Sequence, residues 1–302
     1  MYKHILVATD GSALSMPAAR CAIGLSRALG AKLTAIYVVA PYAGAGAASL
    51  ALMQGFKRAV QQDARNALAA FRGMARAEGV AVRASSVVGG QPWQQILLAA
   101  RTRRCDLIVM ASHGRTGASR FWLGSVADGV MRAASVPVLM VRDRSEAASG
   151  AADVPFSRLL VPLDGSEFAE QALPHAIALA KLGAAEVHLL RVEEPAESLR
   201  TSVWALAPQD PDDLPDRLRR ASDDLQTVIE RFSSEWAPAK PTAEARAGRR
   251  VGDTITEVAG ERGTDLIAMT THGRGASRMI LGSVADKVLR GTHCSVLLVR
   301  SR

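Results

Sequence analysis

At 302 residues and 48% hydrophobic content the chain holds enough material for two ordinary domains with separate cores, and its apolar runs fall short of the roughly 20 residues that span a bilayer. Aromatic residues make up 4% of the chain while Ala, Val and Leu dominate, which favours closely packed helix-on-sheet layers over a β-sandwich. The formal charge of +8 is unevenly held: residues 1–150 carry 18 Lys and Arg against 7 Asp and Glu (+11), and residues 151–302 carry 19 against 22 (−3), with the arginines spread over predicted helices instead of a dense basic run, so nucleic-acid binding is not indicated.

The N-terminus runs directly into a predicted strand, His4 to Thr9, which leaves no room for a signal peptide. This strand ends at Asp10-Gly11-Ser12, and Asp10 would stand at its carboxyl end, where ligands bind in open parallel sheets. A turn or helix-cap role for Asp10 or Ser12 is compatible with that. A helix is expected to about Leu29, closed by Gly30. Next come a strand over 33–39, a loop over 41–49, and a helix ending near Glu78-Gly79. A strand over 80–88 leads through Gly89-Gly90-Gln91-Pro92 into a short helix, with Pro92 in its first turn. Strands are expected at 107–110 and 136–141. Alternation at this spacing predicts a doubly wound, parallel α/β sheet. The small, polar stretch 144–155 reads as a linker between a first domain, 1–143, and a second, 156–302.

In the second domain the pattern restarts: strand 158–163 leads to Asp164-Gly165-Ser166, and strand 186–192 follows. The proline-rich and acidic stretch 193–216 is expected to be irregular, followed by a helix over 218–236, a strand over 242–247, a helix over 253–261, and strands at 266–270 and 295–299. Cys21, Cys105 and Cys294 are odd in number and widely separated, with no zinc or dithiol spacing. They read as reduced, buried residues of a cytoplasmic protein.

The most informative stretch runs from Met110 through Ser112-His113-Gly114 to Leu123-Gly124-Ser125-Val126-Ala127-Asp128. A strand, a Gly-containing loop and a helix start in that order make an anion site, because the first-turn N–H groups point outward and the helix dipole adds positive charge. The same device recurs from Met269 through Thr271-His272-Gly273 to Leu281-Gly282-Ser283-Val284-Ala285-Asp286. Asp10 and Asp164 are 154 positions apart, His113 and His272 159, and Val141 and Val299 158, so the second copy gained length in its middle and lost one residue in this loop. No P-loop pattern is present. Neither His113 nor His272 has a partner at metal-ligand spacing, which favours loop anchoring or ligand stacking over metal binding or catalysis.

With these features repeated in order, the chain resembles the universal stress protein family in its tandem form. The resemblance implies two five-stranded doubly wound domains of the adenine-nucleotide α-hydrolase-like type. It also implies ATP, with or without magnesium, as ligand of a stress-response binding protein. ATP-binding members carry Gly, two residues, Gly, nine residues, Gly, then Ser or Thr. Gly114 and Gly124-Ser125 keep the nine-residue spacing, with Ala111 in the leading position. The second copy has Thr270 in that position and eight residues between Gly273 and Gly282-Ser283. The first half is therefore expected to be the better site. By this resemblance Asp10 lies near the adenosine, the backbone at Val38 faces the base edge, and Gly114, Gly124 and Ser125 hold phosphates, with Thr9, Met110, Ala111, His113 and Val126 completing the set. The second-half counterparts are Asp164, Val192, Thr270, His272, Gly273, Gly282, Ser283 and Val284. A plain Gly turn with a Ser helix cap and no ligand is the structural alternative.

No catalytic residue is assigned. A slow ATPase or nucleotidyl-transfer enzyme is one alternative, with Asp10 and Asp128 as its candidate carboxylates. A docking protein with degenerate sites, self-associating through its final strands, is the other; the sequence names no protein partner.

Overall fold

The computed structural model describes residues 1–39, 50–112, 123–142, 156–195, 214–271 and 281–300. The chain divides into two compact units, Met1–Pro155 and Phe156–Arg302.

The first unit runs β1 (His4–Ala8), a 3-10 turn (Ala13–Ser15), α1 (Met16–Leu29), β2 (Lys32–Val39), α2 (Leu50–Ala77), β3 (Val82–Val88), α3 (Pro92–Thr102), β4 (Leu107–Ala111), α4 (Ser125–Ala133) and β5 (Val138–Val141). Its strands lie in the order β3-β2-β1-β4-β5, all parallel. The order reverses between β1 and β4, which opens a crevice at their carboxyl ends. Ile5, Leu6, Val7, Leu107, Ile108 and Val109 are fully buried, as expected of central strands covered on both faces. Helix α1 buries Ala18, Ala19 and Ala22, small residues that let it lie close to the sheet. It ends at Gly30, whose φ of +62° is the left-handed closure its sequence predicts.

The second unit runs β6 (Arg158–Pro162), α5 (Glu167–Glu170), α6 (Leu173–Ala180), β7 (Glu186–Glu193), α7 (Leu214–Arg231), α8 (Ser233–Trp236), β8 (Pro241–Ala247), α9 (Val251–Glu261), β9 (Leu266–Thr270), α10 (Ser283–Gly291) and β10 (Ser295–Val299). Its parallel order, β8-β7-β6-β9-β10, repeats that of the first unit.

Two differences from expectation, and one between the units, have local causes. The helix expected over 218–236 starts four residues earlier and breaks at Phe232, where the backbone turns and the Phe232 and Trp236 rings meet edge to face at 6.5 Å. The strand expected from Val80 begins at Val82 because the Val80 N–H donates back to the Ala75 carbonyl, closing the end of α2. The single helix α1 is answered by two short helices, with Pro174 in the first turn of α6; Arg20 stands at that place in α1, and its proline, Pro17, lies three residues nearer the start. The stretches 41–49 and 144–155 lie outside the described residues. All three cysteines are buried free thiols, and burial pushes the Cys105 thiol up to about 11. Among the described residues no helix is long and apolar enough to cross a membrane.

Candidate functional site

At the carboxyl end of β1 the chain makes a side-chain-supported turn. The Thr9 N–H donates to the Ile36 carbonyl at 3.0 Å, and Asp10 Oδ1 accepts the Ser12 N–H at 3.0 Å and the Ser12 hydroxyl at 2.7 Å. Thr9 Oγ1 accepts the Gly11 N–H at 3.1 Å. Gly11 has φ +73°, and a Cβ there would stand 2.6 Å from Cβ of Ala67 on α2. Both the left-handed backbone and the close approach require glycine. Asp10 thus acts as the turn residue allowed for above, and the turn fixes its place beside β2, on which half-buried Val38 pairs with Val87.

Across the crevice, Met110 and Ala111 belong to β4, and Ala111 pairs with Val141. In an extended strand the extra methyl of alanine meets no backbone strain. The Ser112 carbonyl accepts the Gly124 N–H at 3.1 Å. Gly124 caps α4 with ordinary φ and ψ of −61° and 148°, and a Cβ there would lie 3.4 Å from the Ser112 oxygen. The helix start differs from the Ser cap of the ligand-free alternative. The cap is Gly124, with Ser125 the first helical residue, and the Gly124 N–H is engaged by the chain itself. The first intrahelical bond runs from the Asp128 N–H to the Gly124 carbonyl at 2.9 Å. The donors left for an anion are therefore the N–H groups of Ser125, Val126 and Ala127, which have no intrahelical acceptor, and the exposed Ser125 hydroxyl. Asp128 accepts from Arg132 Nε at 2.8 Å, one turn along the same helix. His113 and Gly114 lie outside the described residues.

The second unit repeats this frame. Asp164 Oδ1 accepts the Ser166 N–H at 2.9 Å and its hydroxyl at 2.6 Å, and Ser166 Oγ accepts the Ala169 N–H at 3.2 Å, capping α5. Thr270 is a regular residue of β9, aligned with Val299, where β-branching suits an extended backbone. The Gly282 N–H donates to the Thr271 carbonyl at 2.8 Å, and Gly282 caps α10 with φ −62° and ψ 150°. Between these elements lies a cavity of about 320 Å³, within the range of small-molecule sites. Asp164, Val192, Thr270, Gly282, Ser283 and Val284 meet on its wall. His272 and Gly273 lie outside the described residues, as does the loop that is one residue short.

Sequence reasoning missed the apolar side of this cavity, formed by Leu190 on β7 and Val251 and Ile255 on α9. A signal was present at Gly248, which follows β8 and donates its N–H to the Glu193 carbonyl at 3.0 Å: a Cβ there would collide with Thr254 Oγ1, so glycine lets α9 pack close to the strand end. The wall is therefore apolar on the α9 side, with Asp164, Thr270 and the N-terminus of α10 as its polar parts.

Comparison with known proteins agrees with this double frame. The model of the Universal stress protein family matches residues 1–142 and again 155–300. Universal stress protein MJ0531 of Methanocaldococcus jannaschii is 35% identical over 144 residues, covering 47% of this chain and 83% of that protein. A universal stress protein from Archaeoglobus fulgidus has the same fold along the whole length, with a TM-score of 0.70 at 22% identity, covering 99% of this chain and 96% of its own. A universal stress protein solved in complex with cAMP is 29% identical over 46% of this chain and 97% of its own, with a TM-score of 0.37. Both halves of the sequence carry the strand, turn and glycine-capped helix of one family, and the chain belongs to the universal stress protein family, with two copies of its domain in tandem.

Proposed function

We propose that this chain binds an adenine nucleotide, ATP first among them, in its carboxyl-end crevices, and serves stress responses as a nucleotide-dependent binding protein instead of an enzyme. The observation that carries this reading is the 320 Å³ cavity of the second unit, where six residues marked out by the sequence meet. Its apolar side, Leu190, Val251 and Ile255, suits a purine face, and the opposite side offers the Ser283 hydroxyl and the N-terminus of α10 to phosphate. In the first half the nine-residue spacing between Gly114 and Gly124 favours the tighter phosphate cradle. Binding is preferred over turnover because Asp128 and Asp286, which stand in the first turns of α4 and α10, are ion-paired with Arg132 and Arg290 at 2.8 and 2.9 Å. Phosphoryl transfer requires carboxylates placed for metal or water.

Calorimetric titration of the full chain with ATP and with ADP at fixed magnesium tests this. Saturable binding is expected, and Gly124→Val and Gly282→Val should each weaken one site by about tenfold or more, since a Cβ at Gly124 already stands 3.4 Å from the Ser112 oxygen, a branched side chain crowds it further, and Gly282 caps its helix with the same backbone angles. Absence of heat, together with no nucleotide mass released from the denatured protein, overturns the reading.

A further inference from the structure

The first unit has a second concavity at the opposite end of its sheet. An open depression of about 990 Å³ lies at the amino ends of β1, β2 and β3, bordered by His4, Arg27, Lys32, Arg83 and Arg103. No carboxylate lines it among the described residues. Of the nearby acids, Glu78 pairs with Arg27 at 2.6 Å on the rim and leaves Lys32, Arg83 and Arg103 as the other cations of the depression, and Asp106 accepts the backbone N–H groups of Lys3 and His4 at 2.7 and 2.9 Å.

Arg103 closes the C-terminus of α3. Its Nη2 donates to the Ser85 hydroxyl at 2.9 Å, whereas Nη1 is shut off from solvent with no hydrogen-bond partner. A guanidinium nitrogen left in that state is costly. The second unit shows what is missing. Arg262 occupies the position of Arg103, Glu244 that of Ser85, and Glu186 that of Lys32. There Arg262 Nη2 lies 3.3 Å from Glu244 Oε2, and Glu244 also stands 3.4 Å from Nε2 of His188. One carboxylate has thus become a hydroxyl and another an ammonium in the first unit, and the arginine remains.

We propose that the amino-end depression of the first unit is a binding site for a compact phosphate-bearing polyanion, which takes the place that Glu244 fills in the second unit. The anion accepts from Arg103 as its guanidinium turns toward the opening, while Lys32 and Arg83 neutralise the remaining charge from the rim. The depression faces away from the crevice at the carboxyl ends, so this site is independent of the nucleotide reading. It also accounts for where part of the charge of the basic half is concentrated.

The test is calorimetric titration of the full chain with sodium tripolyphosphate at two salt concentrations. Saturable binding that weakens with salt is expected. Arg103→Gln, which can still bond Ser85, and Ser85→Glu, which rebuilds the ion pair of the second unit, should each weaken binding by about tenfold or more, as loss of a charged hydrogen bond does. Ser85→Glu should do so while holding or raising the unfolding temperature. Gly124→Val and Gly282→Val should leave tripolyphosphate binding intact, whether or not ATP binds. The proposal is overturned if tripolyphosphate does not saturate the protein, if both depression variants bind as the wild type does, or if the glycine variants abolish binding, which would put the anion in the carboxyl-end crevices.

Discussion

Trp93 on α3 lies over Gly129 on α4, so closely that a Cβ on the glycine would stand 2.5 Å from Cγ of the indole. In the second unit the same two positions are exchanged in size. Gly252 on α9 takes the place of Trp93, and Lys287 on α10 that of Gly129, with the lysine Cβ and Cγ 2.8 Å from where a Cβ on Gly252 would be. Both helix pairs flank the crevice, and each fills the space between its members once, from opposite sides.

Gly129→Ala should therefore destabilise the first unit although alanine is the better helix former. Overpacking against an indole costs about 1–3 kcal/mol, while the helical preference returns up to about 1 kcal/mol, so a net loss of roughly 1–2 kcal/mol is expected. In Trp93→Ala the same glycine change should be neutral or stabilising. Denaturant unfolding of the two single variants and the double variant measures the coupling; additive effects would mean that the two residues do not compete for one space.

Asp265, 1% exposed, ties down the start of β6: it accepts the Ser157 N–H at 2.8 Å, the Ser157 hydroxyl at 2.7 Å and the Arg158 N–H at 3.0 Å. Asp106 does the same for the N–H groups of Lys3 and His4, from a less buried position. Asp265→Ala strands buried donors and should cost about 3 kcal/mol, against about 1–2 kcal/mol for Asp106→Ala. Calorimetric scans that resolve the two units should show the larger fall for the Asp265 variant. Equal losses would remove burial as the reason.

His188 on β7 is buried, with Nδ1 2.8 Å from Thr242 Oγ1. Burial, helped by the Arg262 guanidinium and opposed by Glu244, pushes its pKa down to about 4. The folded state then holds His188 neutral, whereas the unfolded chain protonates it near about pH 6.5. Between those values the unfolded state binds more protons. Stability is complete above about pH 6.5 and falls as pH drops toward 4, by up to about 3 kcal/mol, then levels off. Unfolding midpoints followed across that window should show this slope in the wild type. His188→Asn, which can still bond Thr242, should flatten it, and an unchanged slope would assign the effect to other groups.

Most of the frame was legible from local pattern because central parallel strands are short apolar runs and their ends carry turn residues. Leu266–Thr270 and Ser295–Val299 were bounded without error on that basis. What escaped depends on contacts that local pattern does not show. The break at Phe232 coincides with a ring contact to Trp236, the engagement of the Gly124 N–H rests on a carbonyl twelve residues earlier, and the apolar side of the cavity brings α9 against β7. Thr270 itself stands in β9 beside Val299, where an extended backbone accepts a branched side chain. The depression at the other end of the first sheet could not be read from either half alone. It emerges when Ser85 and Arg103 are set beside Glu244 and Arg262.

The bonds from Gly124 to Ser112 and from Gly282 to Thr271 join the same two points in each unit, at 3.1 and 2.8 Å, although eleven residues intervene in the first and ten in the second. A segment whose ends are fastened to each other can change length without passing the change to the strand before it or the helix after it. Insertions and deletions there leave the register of the sheet as it is, so the two halves can diverge in this stretch at little cost to folding.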